Sequence, residues 1–217
     1  MVLQGQPADY ASLFASDWEK ANSFLAENRT WMEPVLKRNH ISYKLAAAVI
    51  FPELLRYSFL RDKMEITLLK SLYINLGEDY ANFSIGQFQI KPSFANLIRQ
   101  EAPAVLTRRS GIVFRDTSEF DNISDYRKSI ITDLEDAMSE FNYVVAFIRI
   151  CEKKYDIPGK DEADRLKFIA TAYNYGIDKT RQQIEAMESR KFFHLNKYKS
   201  GMHSYSDVSL FWYNNNK

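Results

Sequence analysis

Residues 124–153, SDYRKSIITDLEDAMSEFNYVVAFIRICEK, decide the fold class. Tyr126, Ile130, Leu134, Ala137, Phe141, Val144, Ile148 and Cys151 recur at intervals of three or four, the period of one helix face. The spacing predicts one long helix over 124–153, N-capped by Ser124, with its apolar stripe through the domain centre. Only 7 Gly and 6 Pro punctuate the 217 residues, so long helices with few turns are expected throughout. A hydrophobic share of 46% and a charged share of 26% exclude a disordered chain. The length suits a single domain with a real core. The expected fold class is therefore mostly α, in one domain.

Working outward, Tyr10, Leu13, Phe14, Trp18, Ala21, Phe24 and Leu25 give residues 8–27 a helical face. Residues 30–39 read as a second short helix, with Thr30 as cap and Glu33 three residues on. Residues 42–57 form the next, opened by Ser42 and lined by Leu45, Val49 and Ile50. Pro52 is expected to kink or end it near Phe51–Leu55. Residues 61–81 are mixed. Residues 92–101 are helical from Pro92, a first-turn proline. Residues 107–122 are a loop or an irregular helix. Pro158-Gly159 is a break. Residues 161–175 form a helix ended by Gly176, and 178–190 a polar helix. The tail from Phe192 is aromatic and polar, without clear period. The organisation expected is an N-terminal helical segment over 1–41, a main domain over 42–190, and a tail over 191–217 packing on that domain.

A formal net charge of +1 gives no global reason to expect a nucleic-acid partner. The lone Cys151 rules out an intramolecular disulfide and a Cys-based metal site; on its apolar stripe it reads as a packing residue. His40, His194 and His203 lack zinc-ligand spacing. The longest apolar run, Leu45 to Phe51, falls short of the roughly 20 residues a transmembrane helix needs.

Three segments carry side chains suited to chemistry. Glu53 follows Val49-Ile50-Phe51-Pro52. A carboxyl in apolar surroundings keeps its proton to higher pH, as a general acid requires. Ser84-Ile85-Gly86-Gln87-Phe88-Gln89-Ile90 makes a tight turn whose backbone can approach a ligand, and Gln89 offers both donor and acceptor. Ala172-Tyr173-Asn174-Tyr175-Gly176 ends a helix with two phenols and an amide at one rim. Each has a structural alternative: a solvated Glu, a turn into a proline-started helix, and a core tyrosine followed by a cap.

In this order the segments resemble the lysozyme-like soluble lytic transglycosylase family, with goose-type lysozymes as relatives. The family pattern places a catalytic Glu at a helix end, then Ser-x-Gly-x-x-Gln-Ile and Pro-[Ser/Thr]-x-Ala, a long central helix, and Ala-Tyr-Asn-x-Gly. Here these read as Glu53, residues 84–90, Pro92-Ser93-Phe94-Ala95, the helix over 124–153, and residues 172–176. The likeness covers about residues 42–180. Leu54 replaces the family's Ser after the Glu, Gln87-Phe88-Gln89 replaces Leu-Met-Gln, and extra chain lies around residues 60–80.

The resemblance implies a lysozyme-like helical domain with a substrate cleft that cleaves the β-1,4 bond between N-acetylmuramic acid and N-acetylglucosamine. Glu53 would be the catalytic acid and base, and the product a 1,6-anhydro sugar. Ser84, Gly86, Phe88, Gln89, Tyr173, Asn174 and Tyr175 would bind substrate. Tyr173 would hold Glu53 in place, and Tyr175 or Phe88 would offer a sugar ring an apolar surface. No metal or organic cofactor is implied. The partner is peptidoglycan glycan strands, with no nucleic acid and no transmembrane segment. The location is the bacterial cell envelope, periplasmic or exported, with the export signal missing from this sequence. A second carboxylate, sought among Asp62, Glu65, Glu78 and Asp79, would turn the reaction to hydrolysis, as in a goose-type muramidase. Loss of catalysis would leave a glycan-binding or docking domain.

Overall fold

The computed structural model of the protein describes residues 8–57, 63–157, 161–191, 193 and 202–216. Their helices are α1 Tyr10–Arg38, α2 Tyr43–Tyr57, α3 Lys63–Leu76, α4 Pro92–Glu101, α5 Ile123–Glu135, α6 Ala137–Tyr155, α7 Glu162–Tyr175, α8 Arg181–Met187 and α9 Tyr205–Asn215. The chain is mostly helical, as the periodicity predicts.

The stripe over 124–153 is split between two helices. Asp136 takes extended dihedrals (φ −100°, ψ 118°) between α5 and α6, and its carboxylate accepts from the Ser139 amide at 2.8 Å. An Asp that can cap offers the backbone an alternative to continuing the helix. The cap of α5 is Asn122, whose Oδ1 accepts from the Asp125 amide at 2.9 Å, and Ser124 lies inside the first turn. The stripe survives the break: Tyr126, Ile130, Leu134, Phe141, Val144, Ile148 and Cys151 are all buried. From Tyr143 to Ile148 every side chain of α6 is buried, so α6 is the central helix, apolar all round.

At the N-terminus the two expected helices are one. Thr30 and Pro34 lie inside α1 and face solvent, where the carbonyl freed by the proline meets water. Leu25, Met32 and Leu36 keep one buried face across that stretch. The backbone departs from helical dihedrals at Ala15 (φ 41°, ψ −111°). The Ser42 hydroxyl accepts from the Leu45 amide at 3.4 Å, and α2 runs through Pro52 to Tyr57. Its persistence follows from burial: every residue from Leu45 to Leu55 is inside.

The mixed stretch 61–81 contains α3, closed by Gly77 at φ 99°, whose amide donates to the Tyr73 carbonyl at 2.9 Å. Residues 107–122 hold only 3-10 turns at Arg108–Ser110 and Thr117–Glu119. The Pro158-Gly159 break lies outside the described residues. Within the tail, α9 forms where no period was read. The Ser204 hydroxyl caps it, accepting from the Asp207 amide at 3.2 Å. Trp212 stacks on Phe51 of α2 with ring centroids 5.3 Å apart, and its indole donates to Asn22 of α1 at 2.8 Å. Among the described residues no helix is long and apolar enough to cross a membrane.

Trp212 therefore ties α9 to α1 and α2. Trp212→Ala is expected to cost about 3 kcal/mol or more of unfolding free energy, read by urea denaturation with an unchanged m-value.

Candidate functional site

Glu53 sits late on α2, with 3% of its surface exposed. Its Oε2 has no hydrogen-bond partner among the described residues; the Arg56 guanidinium approaches only to 3.6 Å. Burial pushes its pKa up from 4.5 to about 7, against the pull of the positive charges on Arg56 and Lys91. The Arg56 guanidinium also lies over the Phe193 ring, 5.4 Å from its centroid. Phe193 in turn packs edge-on to Tyr205 at 4.9 Å. The Tyr205 hydroxyl donates to the Val49 carbonyl at 2.9 Å, four residues before Glu53. The tail thus braces both the helix that carries Glu53 and the arginine beside it.

The segment 84–90 is a tight loop closed by a two-way bridge. The Ile85 amide donates to the Ile90 carbonyl at 3.0 Å, and the Ile90 amide to the Ile85 carbonyl at 3.1 Å. Gly86 has φ 76° and Gln89 φ 56°. The Gln89 amide folds back onto the Gly86 carbonyl at 2.8 Å. The loop is held from below by Glu140 of α6, a carboxylate with no exposed surface. Its two oxygens accept from the amides of Gln87 (2.8 Å) and Phe88 (3.0 Å). Burial raises the Glu140 pKa well above the ordinary value, the backbone amides oppose that, and the charge of Glu53 adds to it. A Cβ at Gly86 would collide with the Glu140 carboxylate. The glycine therefore admits this carboxylate, and the close approach expected of a ligand is taken by Glu140.

Tyr173 enters from α7, its ring edge-on to Phe147 at 5.1 Å and to Phe94 at 5.9 Å. Its hydroxyl donates to the Phe88 carbonyl at 2.8 Å. That corrects the expectation that Tyr173 holds Glu53: it holds the loop. Phe88 is corrected too. Its ring is fully buried, between Phe141 (5.4 Å) and Phe24 (6.0 Å), so it offers no surface to a ligand.

Glu53, Ser84, Gln89, Tyr173, Asn174 and Tyr175 all line one cavity of about 930 Å³. Gly86 and Phe88 do not line it. Its size lies within the roughly 300–1,000 Å³ typical of ligand sites. The lining is mixed: Ile66, Leu69, Phe94 and Leu97 alongside Asn82, Ser93, Asn96 and Gln100. The Asn174 Nδ2 is buried and has no hydrogen-bond partner among the described residues. Of the further carboxylates sought, Glu78 lines the cavity and Asp79 does not; the side chains of Asp62 and Glu65 lie outside the described residues. Asp178, which the sequence reading passed over, lines it as well. So do Arg56 and Lys91.

No protein-family model matches the chain, and neither a curated protein nor a solved structure matches it.

Removing the Glu140 carboxylate strands the half-buried Gln87 amide and the buried Phe88 amide. Glu140→Ala is expected to cost roughly 3 kcal/mol or more in urea unfolding and to speed hydrogen exchange at Gln87 and Phe88. Glu53 sets a pH-dependent term. Folded Glu53 binds its proton more tightly than the unfolded chain does, so its stabilising contribution is full below pH 4.5 and falls as pH rises towards about 7. Glu53→Gln should therefore melt like wild type near pH 4.5, but at pH 8 be more stable by about 3 kcal/mol.

Proposed function

We propose that this protein is a peptidoglycan lytic transglycosylase with a lysozyme-like helical domain, cutting the β-1,4 bond between N-acetylmuramic acid and N-acetylglucosamine. One observation carries the reading. Three segments far apart in sequence converge on one cavity, around a buried carboxyl that keeps its proton to about pH 7.

The neutral Glu53 carboxyl donates its proton to the glycosidic oxygen as the bond to muramoyl C1 breaks. The oxocarbenium-like charge at C1 meets the newly formed Glu53 carboxylate and nearby dipoles. The carboxylate then takes the proton of the C6 hydroxyl while O6 bonds to C1. The product is a 1,6-anhydro ring, and Glu53 is returned protonated. Water is not consumed, and one carboxyl serves both steps. Ser84, Gln89 and Asn174 line the cavity and supply hydroxyl and amide groups that match sugar hydroxyls and acetamido groups. Tyr175 offers the half-buried aromatic face that Phe88 does not. Leu54, where the family carries Ser, is buried and cannot hydrogen-bond the acid, which leaves Arg56 as the polar group at Glu53. The substrate sets the location proposed, the bacterial envelope.

A second reading is hydrolysis. It is favoured by Glu78 and Asp178, exposed carboxylates lining the same cavity that could activate water. The two readings give different ends. Mass spectrometry of digested sacculi should find anhydromuramoyl products, whereas hydrated reducing ends would establish the muramidase. Glu53→Gln should slow release of soluble fragments by about 100-fold or more. Activity should fall as pH rises through about 7, because the acid is lost. Wild-type clearing by Glu53→Gln would remove the assignment, and a glycan-binding domain without products would replace it.

A further inference from the structure

Two cations line the cavity beside Glu53, and the glycosidic chemistry uses neither. Arg56 is about 40% exposed at its side chain and meets the Glu53 carboxyl only at 3.6 Å, a loose pair that leaves its other nitrogens open to the cavity. Its cation lies over the Phe193 ring, which fixes its direction without neutralising it. Lys91, the residue before α4, is exposed and makes no ion pair among the described residues, yet its charge reaches Glu53. Asn174 lines the same cavity and adds an amide beside the two cations. Arg56 and Lys91 carry donors only, and Asn174 can donate as well as accept. An array of donors with two positive charges suits an acceptor carrying negative charge. The other acids that line this cavity beside Glu53, Glu78 and Asp178, are exposed, and Asp178 pairs with Lys179 at 2.5 Å.

We propose that Arg56 and Lys91 form an anion subsite next to Glu53, which takes a carboxylate carried by the muramic acid residue of the substrate. The proposal rests on the reading of the cavity as a peptidoglycan site and adds what that reading lacks, a means of selecting carboxylated over neutral glycan. It also gives Arg56 a second partner. When a substrate carboxylate engages the guanidinium, the pull of Arg56 on Glu53 weakens, and the acid is held more firmly neutral when the glycosidic oxygen arrives. Two sources share this chemistry: the free lactyl carboxylate of a peptide-free strand, and the carboxylates of an attached stem peptide.

The test measures binding to the full-length Glu53→Gln protein, which retains the cavity without turning substrate over. Three probes of equal sugar length are compared by calorimetry. They are a neutral N-acetylglucosamine oligomer, a peptide-free strand alternating N-acetylglucosamine with N-acetylmuramic acid, and the same strand bearing stem peptides. At low salt a carboxylated strand should bind roughly tenfold more tightly than the neutral oligomer. Whichever carboxylated strand shows the gain identifies the source. Adding Arg56→Gln and Lys91→Gln together should bring the affinities within about twofold of one another; Lys91→Gln alone, at an exposed position, gives a partial loss should the double change disturb folding. Equal affinity for neutral and carboxylated probes in the Glu53→Gln protein would overturn the subsite and leave the glycan reading standing. Binding of none of the three would overturn both.

Discussion

A buried carboxylate accepting two backbone amides is the constraint from which the cavity is built. Glu140 stands on α6, whose side chains from Tyr143 to Ile148 are all buried, and meets the amides of Gln87 and Phe88. Those amides point inward because the loop 85–90 is bridged at both ends and because Gly86 and Gln89 take positive φ. An unpaired carboxyl at this depth would cost several kcal/mol, and so would two unpaired amides; together they satisfy one another. The Phe88 ring then locks into the core, and its carbonyl receives the Tyr173 hydroxyl. In this way α6, α7 and the loop are fixed to one another at the cavity wall.

Glu53 is the opposite case. Its Oε2 has no hydrogen-bond partner among the described residues, and the nearest cation stands off at 3.6 Å. Burial without compensation favours the neutral form, so the group carries a proton where an exposed glutamate would have lost it. One fold thus holds two buried glutamates in different roles. Glu140 is spent on backbone amides, whereas Glu53 is left available to the cavity.

Much of this was legible in the sequence, and the gaps have physical causes. The period of Tyr126 through Cys151 gave the buried face, but a period cannot show a break that preserves phase, and the Asp136 cap preserves it. Glu140 is three residues after Ala137 and four before Val144, so helical arithmetic alone places it on the core stripe. A charged residue there is a signal of a buried partner that the reading of apolar positions passed over. Phe88 was misjudged because a loop aromatic can face either way, and only the amides bound by Glu140 turn it inward. The helix α9 was hidden by Ser204, Ser206 and Ser209, all buried. Their hydroxyls are satisfied by the Glu188 and Tyr205 carbonyls, so core positions carry polar letters. The convergence of Glu53, Ser84, Gln89, Tyr173, Asn174 and Tyr175 followed the order of the motifs. The presence of Arg56, Lys91 and Asp178 in the same cavity did not, because nothing in their spacing brings them there.

The most direct measurement is the titration of the Glu53 side-chain carboxyl carbon by NMR in the intact protein, assigned by comparison with Glu53→Gln. The account predicts a midpoint near 7, well above the ordinary glutamate value of 4.5. A midpoint near 4.5 would mean that Glu53 is ionised at neutral pH, and no proton donor would then stand in the cavity.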